Sequence, residues 1–246
     1  MSKTIAIIGA LEKEVAQIYA ELADAAECME AGLKVARGKH HGLDIVATTA
    51  GMGTVNVAAA TQHLISAHGA DTVIFSGIAG GLNPQLHIDD VVIGERLRYL
   101  DTDTALIAES APGLEEFSST PALVDIAEQV LVDEGFAAVG TAGSDAPDAK
   151  QYLRGVIATG DRFVTGGAMR DAAIEATHAD CVEMEGAAVA HIAAKNGADC
   201  LVLRAISDNC DEAYDAFCER EFDLDAYART ASALTLAIVR RIAQAA

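Results

Sequence analysis

Five short stretches of the 246-residue chain gather the side chains that could do chemistry. Glu12 and Glu14 follow the apolar run KTIAIIGA, and the glycine cluster GIAGG (Gly77 to Gly81) follows DTVIFS. GDRFVTGG, with Phe163, follows YLRGVIAT; Glu183 and Glu185 bracket Met184 in CVEME; Ser207–Asp208–Asn209 follows CLVLRAI. Carboxylates grouped in this way can draw a proton from water, deliver one to a leaving group, or stabilise a developing cation. Glycines let a ligand approach the backbone closely. Each stretch also has a bland reading. Acids in a first helical turn interact with the helix dipole, by about 0.3–1 kcal/mol each. S-D-N is a common helix-start or Asx-turn sequence, and a single Phe usually belongs to a core. The joint placement argues for a site, because ligands of open α/β sheets collect beyond the carboxyl ends of strands. The set fits several acids acting on a neutral, partly aromatic ligand.

Apolar runs and helical patterns alternate along the chain, and they are the elements that must hold these residues. Strands are expected at Lys3–Ala10, Leu33–Arg37, Leu43–Thr49, Asp71–Ser76, Val91–Leu97, Tyr152–Thr159, Cys181–Met184 and Cys200–Ile206. The strand at 71–76 should break in the glycine cluster. Helices are expected at Leu11–Ala26, Asn56–His68, Pro121–Glu134, Gly167–Thr177, Ala187–Asn196 and Phe222–Ala246, with Pro121 at a favoured first-turn position. Asp101–Thr120 is polar and reads as a long loop, of a length often tied to function. Strands apolar on both faces imply an α/β three-layer sandwich, a sheet between helix layers. No linker or repeat divides the chain, so residues 1–246 read as a single domain.

Composition narrows the partners. Lys plus Arg is 17 against 37 Asp plus Glu, a net charge of −20. Such a surface repels nucleic acid and anionic membranes. No apolar run reaches the roughly 20 residues of a membrane span, and the start does not read as a signal peptide, which points to a cytoplasmic protein. The five cysteines show no C-x-x-C spacing and the seven histidines no H-E-x-x-H or H-x-x-x-H set, so no metal site is expected. Walker-type and G-x-G-x-x-G phosphate loops are absent too, and no cofactor is expected.

IIGALEKEV, GMGTVNVAAATQHLI, SGIAGGL, IDDVVIGE, GVIATGDRF, CVEMEGAAVAHIA and LRAISDN together resemble the 5′-methylthioadenosine/S-adenosylhomocysteine nucleosidases of the nucleoside phosphorylase superfamily, over most of the chain. The resemblance implies that superfamily's fold with a central mixed sheet, and hydrolysis of the bond between adenine and ribose with no cofactor. It implies a small-molecule nucleoside as substrate and a homodimer. It assigns Glu14 to water activation and Asp208, beside Ser207, to protonation of adenine N7. Glu185 would hold the ribose hydroxyls with Met184 beside the sugar. Phe163 would stack on adenine, the Val164 backbone would bond its edge, and the main chain of Ala79–Gly80 would border the pocket. For Glu183 two readings stay open, a member of the ribose network or a structural acid. The chemistry is independently sensible: an Asp donates at neutral pH only if burial or ligand contacts raise its pKa, and cleavage builds oxocarbenium-like charge that carboxylates stabilise.

The sequence departs from the family pattern in places. Ile78 stands where many nucleosidases have Ser, Tyr99–Asp103 lacks the family's His, and ALIAESAPGLEEFSS replaces an aromatic loop near the 5′ group. The 5′ specificity is therefore open, with a futalosine-type nucleoside as an alternative. A phosphorolytic enzyme would need Arg beside the glycines and first strand; no Arg precedes Arg37, and Glu14 would repel phosphate. A non-catalytic nucleoside-binding protein is the remaining alternative, since fold does not fix function.

Overall fold

The computed structural model describes residues 3–110, 116–141, 149–212 and 224–245. Among these residues, eleven strands and seven helices follow one another as β1 (Thr4–Gly9), α1 (Glu12–Glu21), β2 (Ala23–Glu30), β3 (Leu33–His40), β4 (Leu43–Thr49), α2 (Thr54–His68), β5 (Thr72–Gly81), β6 (Val91–Tyr99), α3 (Thr104–Ser110), β7 (Phe117–Ser118), α4 (Pro121–Asp133), β8 (Ala137–Ala138), β9 (Gln151–Thr159), α5 (Gly167–Thr177), β10 (Cys181–Glu183), α6 (Gly186–Asn196), β11 (Asp199–Asp208) and α7 (Leu224–Ala245).

Successive side chains of a strand point to opposite faces, and here both faces are apolar. Ile5, Ile7, Ile74, Leu201 and Leu203 pack with α1, α4 and α7; Ala6, Ile8, Val73, Phe75 and Val202 pack with α2 and α6. The result is the expected α/β three-layer arrangement around a mixed sheet. Its strand order is β10-β9-β6-β11-β5-β1-β4-β3-β2, with β7 on β6 and β8 on β9. One further pairing changes its shape. β10 also pairs antiparallel with β5, Val182 against Gly80 and Cys181 against Gly81, so β5, β11, β6, β9 and β10 close into a ring. Among the described residues no helix is long and apolar enough to cross a membrane.

Three expectations need correction. The first helix ends at Glu21, and Ala23–Ala26 belong to β2. That segment is rich in helix formers, but pairing with β3 across a two-residue turn outweighs propensity. Ala31 (φ 51°) and Gly32 (φ 78°) both have positive φ, the signature of the tight hairpin turn whose twist matches its strands. The glycine cluster does not break β5, which runs on through Gly81 because β11 and β10 flank it on both sides. Of the two bland readings of S-D-N the Asx turn holds: Ser207 and Asp208 end β11, and Asp208 Oδ1 accepts the Cys210 amide. The expected loop at 101–120 contains α3 and β7; its Pro112 and Gly113, like Phe222 and Ala246 at the ends of the last expected helix, lie outside the described residues.

Candidate active site

Strands β1, β5 and β11 run parallel, so their carboxyl ends share one edge of the sheet. β9 and β10 are parallel to each other but run against β5, and they reach that edge only because the ring closes. A cleft opens there. Glu14, Ala79, Gly80, Phe163, Val164, Glu183, Met184, Glu185, Ser207 and Asp208 all line it. Every site residue expected from the sequence is thus in one cavity.

Glu14 sits at the third position of α1 and folds back on its own helix start. Its carboxylate accepts the Leu11 amide at 2.8 Å, satisfying a donor that the helix leaves without a partner. The remaining oxygen lies against β5, where a Cβ on Gly77 would come within 2.6 Å of it. Burial raises the Glu14 pKa above its ordinary value, partly offset by the peptide groups of Leu11, Ala10 and Ile78 and by the Arg204 guanidinium.

The two acids of CVEME have opposite duties. Glu183 accepts hydrogen bonds from the amides of Glu185 (3.1 Å) and Gly186 (2.7 Å), and from the Thr159 hydroxyl. It therefore caps α6 in the way the bland reading of the sequence anticipates. Glu185 occupies the N-cap position of α6 without capping it. Its carboxylate instead accepts the Gly53 amide at 2.7 Å, in the loop leading into α2. Gly53 has a φ of 95°, a conformation that turns this amide inward and favours glycine. Burial, and then the neighbouring Glu183 charge, push the Glu185 pKa up to about 7.

Asp208 is held at both oxygens: Ser207 Oγ donates to Oδ2 at 2.9 Å and the Cys210 amide to Oδ1 at 2.9 Å. Ser207 Oγ also lies 3.2 Å from the Ala79 carbonyl. The β5–β11 register slips between Ile206 and Asp208, which pairs with Gly80. Such bulges re-aim side chains near active sites, and this one turns Asp208 into the cleft. Gly80 makes room: a Cβ there would stand 2.1 Å from Cys210 Sγ and 3.1 Å from Asp208 Oδ1. Phe163 and Val164 come from the β9–α5 connection; Phe163 is 42% exposed at the rim, and Val164 is buried.

Sequence reasoning missed Arg204. It is 1% exposed, ion-paired with Glu183, 3.9 Å from Glu185, and lies over the Phe75 ring at 4.2 Å. A lone cation inside the apolar run CLVLRAI was the available signal, since a buried Arg demands acid partners. Met52, in the Gly51–Gly53 loop, and Ile78 also line the cleft. Chemically, three carboxylates (Glu14, Glu183, Glu185) share one guanidinium. Within this buried cluster acids outnumber the guanidinium, while Arg162 adds a second cation to the cleft lining. The hydrogen-bonded Asp208 lines the same cleft, together with apolar side chains such as Ile78 and Val164.

A strongly curled mixed sheet with carboxylates and glycines at the shared ends of β1, β5 and β11 defines a class. A sequence model of the phosphorylase superfamily matches residues 4–243, and the chain belongs to that superfamily. Within it, the chain is 32% identical to a 5′-methylthioadenosine/S-adenosylhomocysteine nucleosidase of Shewanella sp. (strain MR-7), over 91% of this chain and 89% of the relative. An aminodeoxyfutalosine nucleosidase of Helicobacter pylori is 33% identical over 89% of this chain and 93% of its own. The crystal structure of an S-adenosylhomocysteine nucleosidase from Streptococcus pyogenes, in complex with 5-methylthiotubericidin, superposes with a TM-score of 0.84 at 28% identity, covering 98% of both chains. The branch to which this chain belongs is the 5′-methylthioadenosine/S-adenosylhomocysteine nucleosidase family.

Proposed function

We propose that this protein hydrolyses the N-glycosidic bond of 5′-methylthioadenosine, S-adenosylhomocysteine or both, releasing adenine. The observation that carries this reading is the convergence of Glu14, Glu185 and Asp208, from three separate elements, on one cleft. Asp208 delivers a proton to adenine N7 as the bond to ribose breaks, so adenine does not leave as an anion. Ser207 and the Cys210 amide hold that carboxyl in place. Phe163 stacks on the base, the Val164 backbone bonds its edge, and Ala79–Gly80 border it. Glu185 holds the ribose hydroxyls, with Met184 beside the sugar. Glu14 takes a proton from the attacking water, and the surplus of carboxylates over Arg204 stabilises the oxocarbenium-like charge. Glu183 serves as the structural acid that fixes Arg204 and the start of α6. Arg204 does lie beside Gly77, but the Glu14 carboxylate packs closer to that glycine, which supports water over phosphate as the nucleophile.

A second reading keeps the reaction and changes the 5′ group: an aminodeoxyfutalosine-type nucleoside. It is favoured by Ile78, an apolar side chain lining the cleft at a position where many nucleosidases carry a hydroxyl. We also read the chain as one domain, supported by a single sheet that contains strands from both halves. A homodimer is supported by exposed apolar side chains at Met52 and Phe163, which line the cleft, and at nearby Val55. A cytoplasmic location and a role in methionine salvage accord with this activity, and the free thiols of Cys28, Cys181, Cys200 and Cys210 suit a reducing compartment.

The test is free adenine measured after incubation with each nucleoside in phosphate-free buffer. Release without phosphate is expected, with losses of about 10²- to 10⁴-fold for Glu14→Gln and Asp208→Asn. A requirement for phosphate, or near wild-type turnover in both variants, overturns the assignment.

A further inference from the structure

Away from the cleft, the end of edge strand β2 meets the end of helix α2. Two imidazoles converge there on one carboxylate. His63 Nε2 lies 3.6 Å from Glu30 Oε2, and His68 Nε2 lies 2.9 Å from Glu30 Oε1. The two rings stand edge to face, 5.7 Å between centroids. Both Nε2 atoms are buried, and neither has a hydrogen-bond partner of good geometry. Buried polar atoms normally find a partner, and here two imidazole nitrogens face the same carboxylate. One donor atom from each of the three residues lies within 4.8 Å of the others. Cys28, two residues before Glu30 and on the same strand face, brings its Sγ to 3.3 Å from Glu30 Oε1.

We propose that Glu30, His63 and His68 form a binding site for a divalent transition metal of the zinc class. The donor set, two imidazoles and a carboxylate, suits Zn²⁺ in preference to Mg²⁺ or Ca²⁺, which take oxygen ligands. Bonds of roughly 2.0–2.2 Å to zinc require the three side chains to draw in by about an ångström, a rotamer adjustment at partly exposed positions. The fourth position falls to water, with the Cys28 thiol next to it. Motif reading misses the site because its ligands come from two elements far apart in the chain, and because the histidines are spaced five apart on α2.

The site has a mechanical consequence. β2 is mostly exposed and, among the described residues, β3 is the only strand it pairs with. A metal would tie its last residue to α2, whose other end carries the Gly53 amide that binds Glu185. A ligand that binds only the folded chain stabilises it by mass action.

The experiment uses full-length protein stripped with chelator and then titrated with ZnCl₂ by calorimetry, alongside His63→Ala/His68→Ala and Glu30→Gln. One equivalent per chain is expected for the wild type, with at least tenfold weaker binding in Glu30→Gln and loss of that equivalent in the double variant. Saturating zinc should also raise the wild-type Tm by a few degrees, on the order of 2–4 °C per kcal/mol of binding linkage. The Tm of the metal-free variants checks that they fold, and Glu30→Gln, which is nearly isosteric, keeps the test open if the double variant does not. Absence of a stoichiometric equivalent in the wild type, or equal zinc uptake by wild type and folded variants, overturns the proposal. Because the readout is metal and Tm, failure of this site leaves the nucleosidase assignment unaffected, and the reverse also holds.

Discussion

Gly77→Ala isolates the position of Glu14 from its chemistry. Gly77 has no positive φ, so alanine is compatible with the backbone. The new Cβ, however, would lie 2.6 Å from Glu14 Oε1, and the Arg204 Nη1 beside it is at 3.4 Å. Ordinary contact begins near that second distance, so the carboxylate must retreat by roughly an ångström while its other oxygen is tied to the Leu11 amide. A displacement of about 1 Å at a catalytic group can cost on the order of 10²-fold in rate. The moving atom is the far end of a flexible side chain, so stability should change by less than about 1.5 kcal/mol. The expected result is kcat for adenine release down about 100-fold, KM within a few-fold, and a Tm close to wild type. In a Glu14→Gln background the same change should cost little more, because residues in contact are not additive. A folded Gly77→Ala enzyme with wild-type kcat, or full additivity with Glu14→Gln, refutes the claim that Glu14 acts from this position.

Arg204→Met removes the one cation from a buried group of acids, and urea unfolding should show a loss of about 3–5 kcal/mol, as when one partner of a buried pair is deleted. Glu185, with its pKa raised in the folded chain to about 7 from an ordinary 4.5, binds its proton more tightly folded than unfolded. Its contribution is therefore fully present below about pH 4.5 and lost as pH rises through 7. Measured by urea unfolding, wild type should lose stability relative to Glu185→Gln across that window, with a slope of at most about 1.4 kcal/mol per pH unit; a flat difference counts against the raised pKa. Phe163→Ala removes a ring that is 42% exposed, so the Tm should hold while nucleoside affinity falls by roughly 1–3 kcal/mol, the usual worth of base stacking. Steady-state kinetics should show this mainly as a higher KM.

Much of this molecule was legible from local pattern. Apolar runs such as KTIAIIGA and CLVLRAI can only be strands covered on both faces, and α5 and α6 follow from helix formers closed by punctuation, Gly197 at a φ of 66° ending α6. The acids of the site were visible because carboxylates right after buried strands are conspicuous. Edge strand β2 was not, because its residues are helix formers whose conformation is decided by a hydrogen-bonding partner across the Ala31–Gly32 turn.

Residue types and their order along the chain determined which side chains were available for chemistry: the acids, the glycines and the aromatic ring. Only the tertiary structure decided how they meet. β9 and β10 run against β5, so in a flat sheet Phe163 and Glu185 would emerge at the opposite edge from Glu14 and Asp208. Closure of the ring through Val182 and Gly80 brings the two groups together, and the bulge before Asp208 aims its carboxylate. Arg204 acquires its partners in the same way. A charge buried that deeply is tolerable only where separate strands deliver carboxylates to it, and strand pairing between distant segments depends on the packing of the whole sheet, which no local stretch of sequence encodes.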